Sequence, residues 1–385
     1  MNNCPWGRIT GVRPVKIIKN MLQSGLDAGQ AKEKFIEDYM VSEEKARLCL
    51  EIAEREIKLL EDIDENDICL YVGIPFCKSR CLYCSFVTAQ SAEDHSLIPH
   101  FMKALKAEIT AAGRLAGQHN FRIVCVYIGG GTPTVLSAED LSKVIGYCRD
   151  SFDLSKIREF TVEAGRADTI DNEKLSALKE AGVTRISINP QSMRQETLTA
   201  IGRQHTPAEV EDAFYQARKT GFGNINMDVI AGLPFETGEN FADTLRQVDA
   251  LNPESITVHT MCIKKGSRLH ERLGEYALTD AETAKRMVDF AYGFMKQTKR
   301  HPYYLYRLKY AAGSLENIGY SKEGFECLYN ILMMQDISTV ISVGGGGVTK
   351  VVGPDKISRV FNVKEPREYI NRIDEMIERK KVIFI

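Results

Sequence analysis

ICLYVGIPFCKSRCLYCSF, residues 68–86, decides how this chain is read. An apolar, β-branched run from Ile68 to Ile74 passes directly into a short loop that holds Cys77, Cys81 and Cys84 in C-x3-C-x2-C spacing. The texture of that run recurs downstream as RIVCVYI (122–128), EFTVEA (159–164), TRISIN (184–189), NINMDVI (224–230) and ESITVHT (254–260), which makes six candidate strands. Amphipathic stretches lie between them. In the clearest, 207–220, Val210, Ala213, Phe214 and Ala217 share a face, and Thr206-Pro207 with Glu209 forms a capping box with Pro at the first helical position. A helix over 280–298 is expected to start similarly, at Thr279 with Glu282. Strands alternating with helices imply parallel strands and right-handed crossovers. Six such units, with functional residues at strand C-terminal ends, predict an α/β fold built as a partial (β/α)6 TIM-like barrel, with an open doubly wound sheet as the rival.

On either side of this core the pattern changes. Residues 1–65 read as an N-terminal helical segment, in which Ala46, Leu50, Ala53 and Ile57 keep helical spacing behind a Ser42 cap. After residue 300 the alternation stops. PYYLYRLKY, SVGGGG (342–347) and a last helix near 366–379 predict a C-terminal α+β domain over 301–385, with the core over 66–300.

The 385 residues are 44% hydrophobic and 26% charged, a globular composition, and 50 Lys+Arg against 52 Asp+Glu give a net charge of -2. No overall basic field is available for nucleic acid or an anionic bilayer, so no nucleic-acid partner is expected. No apolar run is long enough for a membrane span, and Met1–Lys19 lacks the apolar centre of a secretory signal; the cytoplasm is the expected compartment. Of ten cysteines, Cys4, Cys49, Cys69, Cys125, Cys148, Cys262 and Cys327 stand singly and read as buried reduced thiols.

The other three are clustered. A structural zinc site normally closes with four ligands, and no Cys or His pair follows at finger or ribbon spacing. Soft thiolates also suit iron–sulfur clusters. Three cysteines on a 4Fe-4S cluster leave one iron for a ligand that is not protein, a place where S-adenosyl-L-methionine can chelate through its amino and carboxylate groups. Zinc with a distant His is the competing arrangement.

The loop is the signature of the radical S-adenosylmethionine superfamily, which the chain resembles. YVGIPFCKSRCLYCSF, YIGGGTPT, TVEAGR, INPQS, IGRQHT and MDVIAGLP also stand in the order found in the oxygen-independent coproporphyrinogen III dehydrogenase family. PWGRITGVRP, PYYLYR and ECLYNIL look like its HemZ-type branch, related to HemN and HemW. Members of that branch usually carry a further N-terminal region, so the resemblance implies a short form. It also implies a radical SAM barrel, one 4Fe-4S cluster on Cys77, Cys81 and Cys84, and S-adenosyl-L-methionine as co-substrate. Positions matching Tyr71, Gly130 and Glu163 contact the cluster-bound molecule in that family; those matching Gly131, Thr132, Gln191, Arg203 and Asp228 hold a second, and Tyr83 falls on a further contact position. The implied activity is radical oxidative decarboxylation of coproporphyrinogen III propionates to vinyl groups in anaerobic haem biosynthesis, with a low-potential electron donor such as flavodoxin or ferredoxin.

The residues also depart from that family. Where the established dehydrogenases carry another cysteine, this chain has Phe86. That absence is shared with haem-chaperone relatives and haem-degrading radical enzymes, so a haem-binding chaperone or haem-modifying protein is the alternative. The chaperones' His-Asn-x-x-Tyr-Trp segment reads Tyr329-Asn330-Ile331-Leu332-Met333-Met334 here. His205 and His259 are the first candidates for a haem ligand, against the blander reading of polar core or surface histidines. Tyr303, Tyr304 and Tyr306 would line a flat aromatic ligand or form one buried face of an amphipathic strand.

Overall fold

The computed structural model describes residues 5–86, 89–308, 311–353 and 355–384. Three helices come first: α1 (Pro14–Gln23), α2 (Ala28–Tyr39) and α3 (Glu43–Leu59). Ser42 caps α3 by accepting from the Lys45 N–H. The buried face of α3 is centred on Cys49, Ile52 and Glu56, while Leu50 and Ile57 are only partly covered, so the face is rotated from the one the sequence spacing suggests. The rotation lets Lys45 reach Glu316 at 2.6 Å, where Trp6 Nε1 also donates at 2.8 Å.

The six predicted strands all form. β1 (Asp67–Ile74), β2 (Arg122–Gly130), β3 (Glu159–Gly165), β4 (Arg185–Gln191), β5 (Ile225–Ala231) and β6 (Ser255–Thr260) pair in parallel and in sequence order. β2 takes in Gly129 and Gly130, and β4 runs on to Gln191, beyond the β-branched residues that made them visible. Between strands run α4 (Ala92–His95), α5 (Ile98–Gln118), α6 (Ala138–Ser151), α7 (Asn172–Glu180), α8 (Gln195–Ala200), α9 (Pro207–Lys219) and α10 (Gly238–Ala250). α9 begins with the expected capping box of Thr206 and Glu209. Consecutive parallel neighbours with helical crossovers define the partial (β/α)6 barrel.

α11 (Arg268–Glu271) and α12 (Ala281–Gln297) follow β6. The cap of α12 is Asp280, which accepts from the Glu282 and Thr283 N–H groups; Thr279 instead donates to the Leu233 carbonyl. A carboxylate one residue on takes the N-terminal amides because Thr279 is already engaged. Strands after residue 300 add to both edges of the same sheet. β7 (His301–Arg307) and β8 (Glu316–Ser321) join antiparallel beside β6, and α13 (Leu328–Gln335) leads to β9 (Val340–Gly344), which lies parallel to β1. β10 (Val348–Val352) and β11 (Ile357–Phe361) extend that edge, giving the order β11-β10-β9-β1-β2-β3-β4-β5-β6-β8-β7. α14 (Pro366–Asn371) and α15 (Ile373–Ile383) then pack on α5.

The β1/β9 contact leaves no room for side chains. A Cβ on Gly344 would stand 2.1 Å from the Gly73 carbonyl oxygen, and Gly344 has φ +85°. Behind this contact, fully buried Glu108 of α5 accepts from Gly344 N–H (2.7 Å), Asn362 Nδ2 (2.8 Å), the Tyr369 hydroxyl and Lys380 Nζ. One carboxylate thus ties α5, the β9 turn, α14 and α15 together.

Cys49, Cys69, Cys125, Cys148, Cys262 and Cys327 are buried and in no disulfide, as their apolar settings predict; Cys4 lies outside the described residues. No helix among the described residues is long and apolar enough to cross a membrane.

Candidate active site

Each parallel strand buries its residues on both faces except near its C-terminal half, where a single interior side chain stays half-exposed: Tyr71, Tyr127, Glu163, Asn189, Asp228 and His259 on β1 to β6 in turn. These six mark a solvent-reachable lumen. One wall is aromatic: Tyr127 stacks on Tyr329 with ring centroids 4.5 Å apart and on Tyr71 at 6.1 Å, and Tyr304 stacks on Tyr306 at 6.2 Å. Burial, and for Tyr71 and Tyr127 the Glu163 charge, pushes these phenols up from their ordinary value, so they stay neutral. Tyr303 is fully buried, its ring centroid 5.0 Å from that of Tyr304.

The other wall is polar. Tyr127 donates to Glu163 Oε1 at 2.6 Å. Asn226 donates to Asp228 Oδ1 at 2.7 Å, and His259 Nε2 lies 3.6 Å from Asp228 Oδ2 while its Nδ1 meets the Tyr306 hydroxyl at 3.3 Å. With both ring nitrogens engaged, His259 serves Asp228 and is no longer a candidate haem ligand. Burial works to raise Asp228, but the His259 hydrogen bond and charge, with Asn226 and Thr257, bring it below its ordinary value. Glu163 goes the other way, to about 7, through burial and the neighbouring Asp228 charge.

The sign for Glu163 follows from linkage. A carboxyl whose folded pKa lies above its unfolded 4.5 contributes stability that is present below that value and lost as pH rises through about 7. Solvent reaches the lumen, which reduces the effect to about 2 kcal/mol. The unliganded protein is therefore expected to lose stability from pH 5 to 8, and Glu163→Gln to flatten that slope. Chemical denaturation at the two pH values checks this; an equal slope in the variant counts against it.

At the C-terminal end of β1 the cysteine loop closes over the lumen. The Cys77 N–H donates to the Ala89 carbonyl (2.9 Å) and the Cys84 N–H to the Cys81 carbonyl (3.1 Å). Leu82 N–H reaches the Ile201 carbonyl. Beneath the loop, Arg166 grips Asp168 through two hydrogen bonds and donates to the Ser79 carbonyl and hydroxyl. Lys78 lies 3.2 Å from Asp168 as well. Sequence reading missed this clamp, whose signal was the charged pair directly after TVEAG. His205 sits at its edge, fully buried and 3.8 Å from Asp168, and burial lowers its pKa. It is a core histidine.

The backbone after β2 fits against the loop: Gly131 N–H donates to the Ile74 carbonyl and Thr132 N–H to the Phe76 carbonyl, both at 2.8 Å. A Cβ on Gly131 would meet the Phe76 oxygen at 2.4 Å and Cys77 Sγ at 3.0 Å, so only glycine lets the two backbones approach. The Thr132 hydroxyl is 3.5 Å from Cys77 Sγ. The three thiols, Gly130, Gly131, Thr132, Glu163, Gln191, Arg203 and Tyr83 line one cavity of about 160 Å³. A second, of about 320 Å³, adjoins it through Gly130, Gly131 and Phe86, and is bounded by Tyr71, Gly345, Gly346 and Lys364. Asp228 lines neither of these two cavities.

This donor set suits a cluster with a small polar co-substrate. Among the described residues no group of three or more His, Cys, Asp or Glu side chains is gathered around one point as a closed single-ion site would be. Arg203 donates to the Asn189 carbonyl (2.6 Å) and the Tyr83 hydroxyl (3.3 Å), yet its Nε has no partner; nor has Gln191 Oε1, on a backbone at φ +68°. These buried, unmet groups would be satisfied by a ligand with both hydrogen-bond donors and acceptors.

Fold and loop together define a radical SAM protein. Residues 71–248 match the family model described as Radical SAM superfamily. The chain is 38% identical over 380 residues (97% of this chain, 76% of the relative) to the oxygen-independent coproporphyrinogen-III oxidase-like protein HemZ of Bacillus subtilis (strain 168). It is 29% identical over 310 residues to the heme chaperone HemW of Escherichia coli (strain K12), covering 78% of this chain and 75% of the relative. The solved structure of the Escherichia coli coproporphyrinogen III oxidase HemN, described as a radical SAM enzyme, shares the fold with TM-score 0.67 at 20% identity, over 83% of this chain and 72% of that one. The chain belongs to the HemZ-like group of oxygen-independent coproporphyrinogen-III oxidase-like proteins within that superfamily, whose cofactors are a 4Fe-4S cluster and S-adenosyl-L-methionine.

Proposed function

We propose that the protein converts coproporphyrinogen III to protoporphyrinogen IX without oxygen, in the cytoplasm. The observation that carries this is the pair of adjoining cavities that meet at Gly130, Gly131 and Phe86, one lined by the three thiols and the other by Tyr71, whose ring stacks on Tyr127. Cys77, Cys81 and Cys84 would hold the cluster. Tyr71, Gly130 and Glu163 would face the S-adenosylmethionine bound to it; Gly131, Thr132, Gln191, Arg203 and Asp228 would hold a second molecule, with Tyr83 beside them. Together these groups supply, when bound and reduced, a 5′-deoxyadenosyl radical that takes hydrogen from unactivated carbon.

The chain's own side chains orient and shield. Arg203 and Gln191 offer a donor and an acceptor to an amino acid, and ionised Asp228, held by His259, accepts from ribose hydroxyls. Stacked neutral tyrosines give a flat tetrapyrrole an apolar surface and keep water from the reacting carbon. In each of two rounds a propionate would give a hydrogen atom from its β-carbon to that radical, forming 5′-deoxyadenosine, then lose carbon dioxide and pass one electron to an external one-electron acceptor, which leaves a vinyl group.

Phe86 favours a second reading, a haem-binding chaperone or haem-modifying protein. It is 59% exposed at the junction of the two cavities, an apolar surface suited to holding a porphyrin rather than transforming it. Anaerobic incubation of the reconstituted, reduced protein with S-adenosylmethionine and coproporphyrinogen III decides between them. Vinyl products with 5′-deoxyadenosine are expected; stable haem uptake without conversion would establish the carrier.

A further inference from the structure

The cysteine loop is covered on its outer side by the segment 264–272, KKGSRLHER, which follows β6. Two contacts fasten it there. Arg80 of the loop donates to the Gly266 carbonyl, and the Leu269 N–H donates to the Leu82 carbonyl at 2.9 Å. The segment is itself built rather than loose, since buried Ser267 donates to the Lys264 carbonyl and accepts from the His270 N–H. Its cations point outward. Lys264, Lys265 and Arg268 are exposed and have no carboxylate partner among the described residues, whereas Arg272 is paired with Glu275. Lys264 lies over the exposed Phe86 ring, 6.0 Å from its centroid. On a chain of net charge -2, this is a local basic island around an apolar centre.

Its position gives the island a use. Arg268 is one residue from Leu269, whose N–H donates to the Leu82 carbonyl, and Leu82 neighbours Cys81 in the chain. A partner seated on the island is linked to the thiol loop through the Leu269–Leu82 hydrogen bond, next in the chain to Cys81. A cluster that must be reduced needs an electron carrier close to it, and charge complementarity speeds the encounter of an acidic carrier with a basic patch.

We propose that Lys264, Lys265 and Arg268, around Phe86, form the docking surface for an acidic one-electron carrier protein of the flavodoxin type, which delivers one electron per encounter to the cluster behind the loop. The proposal rests on the cluster-bearing reading of Cys77, Cys81 and Cys84 and is independent of which tetrapyrrole the protein handles.

The test uses the reconstituted full chain and its K264E/K265E/R268E variant, with 5′-deoxyadenosine formation from S-adenosylmethionine as readout and no tetrapyrrole present. With a reduced bacterial flavodoxin as donor, the variant is expected to be about ten-fold or more slower, and the wild-type rate to fall with added salt while the variant's does not. With dithionite, which needs no docking surface, the two proteins should match. Equal rates with flavodoxin overturn the proposal, and so does an equal loss with both reductants, which would assign the segment to cluster assembly. The affinity of oxidised flavodoxin for the two holoproteins gives a second readout that requires no turnover. An unchanged Kd refutes the docking surface even if wild type forms no 5′-deoxyadenosine, whereas that failure alone would strike the radical reading.

Discussion

Cys81→Ser is expected to remove the cluster: iron and sulfide fall to background after anaerobic reconstitution, and 5′-deoxyadenosine formation drops more than ~10²-fold, beyond the 10–100-fold typical of changes one step removed from a metal's ligands. Cys81 is the most enclosed of the three thiols, 9% exposed, and its carbonyl receives the Cys84 N–H, so its backbone position is fixed whatever the side chain. The substitution changes a soft sulfur donor to a hard, poorly acidic hydroxyl in the same place. The fold should survive, because Arg166, Asp168 and the Ile201 carbonyl hold the loop without help from sulfur. Unchanged iron content, with a native melting curve, would show that the three cysteines do not carry the cluster.

Glu108→Ala is expected to cost about 3–5 kcal/mol of stability, the range seen when one partner of a buried ion pair is deleted. The change strands the Lys380 ammonium in the interior and removes the acceptor for Gly344 N–H, the Tyr369 hydroxyl and Asn362 Nδ2. Glu108→Leu combined with Lys380→Met should recover much of the loss, since it removes the uncompensated charge and retains apolar bulk. Denaturant unfolding of the three proteins measures this. A single-variant loss below about 1 kcal/mol would mean that water or rearrangement supplies what Glu108 does. Because Gly345 and Gly346 bound the cavity next to Tyr71, the single variant should also bind S-adenosylmethionine more weakly.

The six strands were legible because each is buried on both faces and so reads as a near-continuous β-branched run, and Thr206 with Glu209 announced α9 through local chemistry alone. The thiol loop and the Gly130–Gly131 turn were legible by spacing. What stayed hidden depends on long-range pairing. Nothing local shows that Val340–Gly344 will lie against β1, or that Glu108, Asn362, Tyr369 and Lys380 meet. Tyr127 repeats the place of Tyr71 two residues ahead of a glycine, a parallel that sequence reading left unused, and Tyr329 reaches the same stack from a helix. His259 was named as a possible iron ligand because it stands at the end of the sixth strand; its two partners, Asp228 on β5 and Tyr306 on β7, come from elsewhere in the sheet.

The pairing of β9 with β1 also sets an order of events during biosynthesis. The strand that leads into the cysteine loop emerges first, and the segment that covers its outer edge leaves the ribosome roughly 270 residues later. Until then β1 presents an open edge, which invites wrong partners. Metal delivery that waits for the finished polypeptide meets a loop already braced by the Gly73–Gly344 contact, whereas delivery to a nascent chain meets one without it. A chain interrupted before residue 340 should therefore accumulate as an iron-poor, aggregation-prone species, even though all three thiols are present.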